Sequence, residues 1–195
     1  MDWATKVVMT ILMEEGSRKR RHGRKRRLYG FILSLLLVTV WILVIWSMSK
    51  QSYQQQTIQP WLHQLSEKVK IGFVLPDVQF TYGEHDYSLR QRPYDFAEFI
   101  FRKSAHLFVY AVLAVLVYGG LRYRKMRMLT CIAASLIVVA MIASIDEYIQ
   151  QFSPNRTSSI RDIGVDLIGG CCGIAIYVMT KAVIRKLRSH GHSSS

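Results

Sequence analysis

Four polar clusters stand at the ends of long apolar runs in this sequence, and their spacing limits the chemistry they could do. Glu98, Arg102, His106 and Tyr110 recur every fourth residue, so on a helix they form one stripe, with Lys103 at its border. Asp146, Glu147 and Gln150 close a second apolar run, Arg156 lies in the loop that follows, and Asp162 and Asp166 open the next run. An imidazole among carboxylates changes charge near neutrality, which suits proton transfer or ligand binding at His106. Arg102, Lys103 and Arg156 are donors for a phosphate or carboxylate, arginine most directly through its planar fork. Each residue also has a plainer reading. His106 could be held by a neighbouring carboxylate, Arg156 bridged to Asp162, and Asp162 placed only to stabilise a helix start. Asp146 and Glu147 are successive and diverge by about 100° on a helix. One is expected to face the bundle and the other to cap or meet solvent.

His106, Asp146, Glu147, Asp162 and Asp166 carry nitrogen and oxygen donors of the kind divalent ions take. The sequence has no tight ligand motif, and nearby Arg102, Lys103 and Arg156 compensate the acids, so neither a metal nor a cofactor is expected. Cys171 and Cys172 are adjacent and lack C-x-x-C spacing; with Cys131 they read as core packing. Neither a G-x-S-x-G elbow nor a phosphate loop is present. The catalytic candidates are therefore His106 and Glu147, an acid and a base that would have to lie within hydrogen-bond reach.

The composition supplies the scaffold that these residues need. Half of the 195 residues are hydrophobic and the mean hydropathy is +0.15, yet the formal net charge is +13. Apolar residues and charges are segregated along the chain. Four runs, at about 28–46, 104–121, 128–145 and 163–180, have the length of a bilayer-spanning helix. The fold expected is an all-α polytopic membrane protein, a bundle of four transmembrane helices. A soluble enzyme, a disordered regulator and a nucleic-acid-binding domain are all disfavoured. Within the fourth run, Asp162, Asp166, Gly169 and Gly173 are spaced four, three and four. The acidic face therefore continues into a Gly-x-x-x-Gly face for close helix packing. An acid such as Asp166 costs a few kcal/mol in hydrocarbon, so that face must look at another helix.

Sixteen of the 26 basic residues fall in three blocks, 18–27, 122–127 and 181–188, alternating with the apolar runs. By the positive-inside rule, all three belong in the cytoplasm. Both tails, 1–27 and 181–195, are then cytoplasmic and basic, and the polar clusters meet at the outer face. The basic blocks read as an orientation signal able to touch anionic lipid, not as a nucleic-acid footprint. Residues 1–13 could lie along the inner surface or form an unstructured lead. Segment 47–101 is extracytoplasmic and too long for a bare connector. Pro60 opens a short helix there, and Val78 to Tyr82 alternates. Gly83 to Asp86 supplies turn residues before Tyr87 to Arg90, together a short β-hairpin. Asp95 and Glu98 have capping-box spacing for a helix that runs straight into the second span.

These residues resemble the signature of the VanZ-like family of small bacterial membrane proteins. The resemblance is carried by Arg102-Lys103-Ser104-Ala105-His106 with Tyr110, by Asp146 to Phe152, by Pro154-Asn155-Arg156, and by Asp162 to Gly170 with Gly173. It covers Trp46 to Tyr177. Asn155 stands where the family usually has glycine, and asparagine also tolerates positive φ. The resemblance implies a multi-pass protein of the bacterial plasma membrane linked to susceptibility to teicoplanin-type glycopeptides. Together with the clustered charges it leads to the expectation of an outer-leaflet pocket for an anionic lipid. The partners expected are membrane lipids, with a lipid-linked cell-wall precursor or a glycopeptide-related target. An enzyme acting on an envelope lipid, and a structural partner protein whose charges only clamp its helices, are the alternatives.

Overall fold

The computed structural model describes residues 2–50, 57–69, 76, 78–82, 85–152 and 160–191. In chain order the elements are α1 (Trp3–Ser49), α2 (Gln59–Val69), β1 (Gln79–Tyr82), β2 (His85–Ser88), α3 (Pro93–Tyr123), α4 (Met128–Gln150) and α5 (Ile160–Gly191). Four of them, α1, α3, α4 and α5, contain stretches long and apolar enough to cross a membrane. In hydrocarbon a helix satisfies its own backbone hydrogen bonds, which is why apolar runs rich in valine and isoleucine are helical here despite modest propensity. The four-helix membrane bundle and the small hairpin read from the sequence are both present.

α3 is the hub, packed against α1, α4 and α5. Its inner face buries Tyr110, Leu113, Ala114 and Tyr118 against Ile45 of α1, Cys131, Val139 and Ala143 of α4, and Ile174 of α5. The closest approach is to α5. A Cβ built on Gly169 would lie 2.5 Å from the Leu107 carbonyl oxygen, and one on Gly173 would lie 2.6 Å from that of Ala111. Matching pairs climb both helices in the same order, so α3 and α5 run in the same direction. α1 crosses α3 the opposite way. The Trp41 indole donates to the Val109 carbonyl at 3.0 Å, and Ser34 donates to that of Leu116 at 3.1 Å. Arg124 and Lys125 turn α3 back towards α4, with Lys125 at φ 59°.

Several local readings change. α1 is helical without a break from Trp3, so residues 3–13 are neither a separate surface helix nor an unstructured lead. The Glu, Lys and Arg that follow are good helix formers and carry the helix into the apolar run. In the hairpin, Tyr82 pairs with His85 and Thr81 with Asp86. His85 and Asp86 are thus strand residues, and the turn positions 83–84 lie outside the described residues. No capping box forms at Asp95. Pro93 starts α3 two residues earlier, with Arg92 at the N-cap, because a proline needs no backbone partner in a first turn. Cys131 is buried, whereas Cys171 and Cys172 are exposed; the glycine face and Ile174 take the inner side of α5 and leave both thiols facing outwards. At the other extreme of α5, the basic block 181–188 continues the helix.

The glycine contact yields a graded test. Gly173→Val drives a side chain into backbone that cannot retreat, and should cost about 1–3 kcal/mol as overpacking does. Gly164 has nothing within 4 Å of a built Cβ, so Gly164→Ala should leave thermal unfolding of the solubilised protein unchanged. Equal behaviour of the two variants would contradict the close packing of α3 on α5.

Candidate functional site

The polar residues gather at the end of the bundle where the hairpin sits, opposite the three basic blocks. α3 sets their depth. Its 31 residues extend about 46 Å at 1.5 Å each, well beyond a hydrocarbon core of about 30 Å. The first turns stand above the apolar stretch, and His106 lies near its beginning. Two levels follow from the helical period.

At the upper level, Lys103 forms an ion pair with Asp162 of α5. The Tyr82 hydroxyl, at the end of β1, donates to the same carboxylate at 2.5 Å. The Lys103 ammonium also lies over the Tyr82 ring, 4.6 Å from its centre, a favourable placement over the negative face of an aromatic ring. Phe80, Tyr82 and Tyr87 meet Phe99 of α3 with ring centres 4.3–5.3 Å apart. This aromatic layer fixes the hairpin on the bundle. Arg102 is half-buried beside it, close enough to Tyr87 to act on its hydroxyl electrostatically. Glu98 is buried and accepts from Thr57 at 3.1 Å. Asp95 accepts from the Gln59 side chain at 2.8 Å, which ties the start of α2 to the first turn of α3.

One turn deeper, His106 Nδ1 lies 3.2 Å from Asp166 Oδ1. Asp166 has no exposed surface, so the imidazole answers the demand that a buried acid finds a partner. The ring of Tyr110 stacks near His106 with centres 6.2 Å apart, and its hydroxyl faces Asp146 and Asp166. Asp146 accepts from Ser49 at the end of α1 and from Gln150 at 2.9 Å. Glu147 is buried too. The expectation that only one of these neighbours faces inwards is therefore corrected: α4 touches α1, α3 and α5, so side chains about 100° apart both find an interior.

Of the residues singled out in the sequence, Arg102, Lys103, His106, Tyr110, Asp146, Glu147, Gln150, Asp162 and Asp166 thus lie at this end, and Gly169 and Gly173 hold α3 and α5 together beneath it. Arg156 lies outside the described residues. The hydrogen-bond partner of His106 is Asp166, not Glu147. Among the described residues, no three His, Cys, Asp or Glu side chains converge to hold a metal ion. Sequence reasoning did not place Ser49, Thr57, Tyr82 and Glu98 in the site. Glu98 was legible from its place on the stripe, and Tyr82 from alternating with Phe80 on one strand face. Nothing local marks Ser49 or Thr57.

A family model described as VanZ/LLP1 matches residues 31–183. No curated protein and no solved structure matches the chain.

Burial foremost, and then the bond to Asp162, hold the Tyr82 phenol above the usual tyrosine range. A folded-state value raised in this way contributes stability that is complete below the unfolded pKa of about 10 and is lost as pH rises through the folded value. In an alkaline titration followed by phenolate absorbance, Tyr82→Phe should remove one late-ionising phenol. Loss of an ordinary phenol instead would contradict the Tyr82 to Asp162 bond.

Proposed function

Because the chain belongs to the VanZ/LLP1 family and collects buried charges at one end of an apolar bundle, we propose that it binds the polar part of an envelope lipid at that end. In this reading it is a multi-pass protein of the bacterial plasma membrane with both termini in the cytoplasm. The basic blocks on the far end support that orientation, since positively charged loops are retained inside. The hairpin end then faces outwards, at the depth of the outer headgroups. The ligand is an anionic lipid or a lipid-linked wall precursor, and through it the protein alters susceptibility to teicoplanin-type glycopeptides.

One observation carries the reading. Arg102 and Lys103 stand at the upper level of α3, one turn above a carboxylate and imidazole pair that four converging helices keep from hydrocarbon. Arginine and lysine at headgroup depth suit a phosphate. Lys103 is neutralised by Asp162, so an incoming phosphate exchanges with a carboxylate instead of meeting a bare cation. Such exchange favours a moderate, selective affinity over a tight electrostatic trap.

An enzymatic reading has its own support in His106. An imidazole oriented by a buried carboxylate is the arrangement that general acid and base catalysis uses, although the partner is Asp166 and not the Glu147 expected. The two readings, and a purely structural one, separate in one experiment. A host lacking the gene would express wild type, Arg102→Gln, His106→Ala, Glu147→Gln and Asp166→Asn at matched membrane abundance. Wild type is expected to raise the teicoplanin concentration tolerated, and the inserted variants to lose that effect. Variants that fall only in abundance would make the cluster a structural clamp. Turnover of an envelope lipid lost in His106→Ala would favour the enzyme.

A further inference from the structure

Among the described residues, Asp166 Oδ2 and the Tyr110 hydroxyl are buried polar atoms of the deeper level without a geometric hydrogen-bond partner. Both residues are buried almost completely, with 0% and 1% of their surface exposed. The Tyr110 hydroxyl faces Asp166 and Asp146, so the two unmet atoms belong to one place. Leaving a buried polar group unsatisfied costs about 1–3 kcal/mol. Asp146 differs, since each of its oxygens already accepts a bond, from Ser49 and from Gln150.

The chemistry that would complete this place is one-sided. Tyr110 brings one O–H to the two acids it faces, and ionised carboxylates only accept, so the place is short of donors, and a phosphate oxygen has none to give. The phosphate of a headgroup therefore belongs higher, with Arg102 and Lys103. Arg102 precedes His106 by four residues, about 6 Å along the helix. His106 keeps 28% of its side-chain surface exposed and marks the way in.

We propose that the Asp166, Tyr110 and Asp146 cluster takes the primary ammonium of an amine-bearing lipid headgroup. Such a group carries three N–H bonds, two of which Asp166 Oδ2 and the Tyr110 hydroxyl oxygen can accept, while the nearby Asp146 carboxylate adds its charge. The inference rests on the lipid-binding reading above, keeps its phosphate, and replaces the anionic headgroup with a zwitterionic one whose phosphate is joined to a protonated amine. It also gives the His106 and Asp166 pair a role, because an arriving ammonium competes with the imidazole for the same carboxylate.

The test uses the full-length protein in detergent, with lipid binding followed by native mass spectrometry. Phosphatidylethanolamine, phosphatidylcholine and phosphatidylglycerol of identical acyl chains are the probes. The first carries N–H donors, the second the same positive charge without them, and the third the same phosphate with hydroxyls only. Phosphatidylethanolamine is expected to bind about tenfold more tightly than either, as one charged hydrogen bond of about 1.4 kcal/mol would give. Asp166→Asn should bring the three within about twofold of one another, since a neutral amide loses the charged bond. Tyr110→Phe should narrow the preference in a variant that keeps the helix contact, which covers the case where Asp166→Asn fails to fold. Equal binding of the first two probes, lost in Arg102→Gln, would overturn the amine inference and leave the phosphate reading standing; a water completing the buried atoms would give this result. Preference for the glycerol headgroup would also overturn it. Failure of all three to bind would sink both.

Discussion

Backbone contact between α3 and α5 is the constraint from which the rest follows. Two missing side chains, at Gly169 and Gly173, let the Leu107 and Ala111 carbonyls come within van der Waals range of the neighbouring helix. That contact fixes the rotation and the register of both helices at once. His106 immediately precedes Leu107, and Asp166 lies three residues before Gly169, so the imidazole and the carboxylate are brought level. The same register carries Lys103 to Asp162 one turn higher. Small residues are favoured between membrane helices because lipid offers no hydrophobic drive to assemble them and packing must supply it. Here the packing also decides which charges meet.

Charge placement in turn depends on depth. An aspartate at the centre of a bilayer costs about 3 kcal/mol and less towards the edge. The cluster sits where α3 and α5 enter the apolar stretch and α1 and α4 leave it, which is the least costly depth that is still enclosed. Three of the four buried acids are met by different groups: Asp166 by His106, Asp146 by Ser49 and Gln150, Glu98 by Thr57. Asp162, half-buried, is shared between Lys103 and Tyr82. The acids and their partners together come from all four long helices, from the hairpin and from the segment before α2. Such an arrangement cannot be assembled by any two elements alone, and it ties the correct folding of the hairpin to that of the bundle.

What the sequence disclosed follows from the range of each interaction. The stripe of Glu98, Arg102, His106 and Tyr110 was legible because the helical period is local, and so was the Gly-x-x-x-Gly face. The apolar runs gave four helices because length and hydropathy suffice to recognise a span. The inward orientation of both Asp146 and Glu147 was not legible, since it depends on how many neighbours α4 has. Ser49 and Tyr82 enter the site through contacts with residues 97 and 80 positions away, and no local pattern reports them. Helix starts were misjudged by a few residues for a related reason. Asp95 has the spacing of a cap, but its carboxylate is taken by Gln59 and the helix begins at Pro93. The same long-range competition moved Cys171 and Cys172 outwards, where glycine had already claimed the inner face.

The two ends of the bundle also explain why the buried polar groups gather at one of them. The turn from α3 to α4 is short, so these helices are antiparallel neighbours, and the same-direction pairing of α5 with α3 follows from the glycine register. The end of α1, the beginning of α3, the end of α4 and the beginning of α5 therefore meet at a single level. The opposite level receives the three basic blocks, which hold sixteen like charges and no carboxylate. Like charges repel and stay solvated, and the described cations of those blocks are largely exposed. Opposite charges attract and are buried where they converge. A ligand site needs convergence, enclosure and a way in. Among the described residues the hairpin end brings opposite charges together under cover, with His106 partly exposed between the Lys103 and Asp162 pair above and the buried Asp166 below, which is why the proposed ligand is placed there.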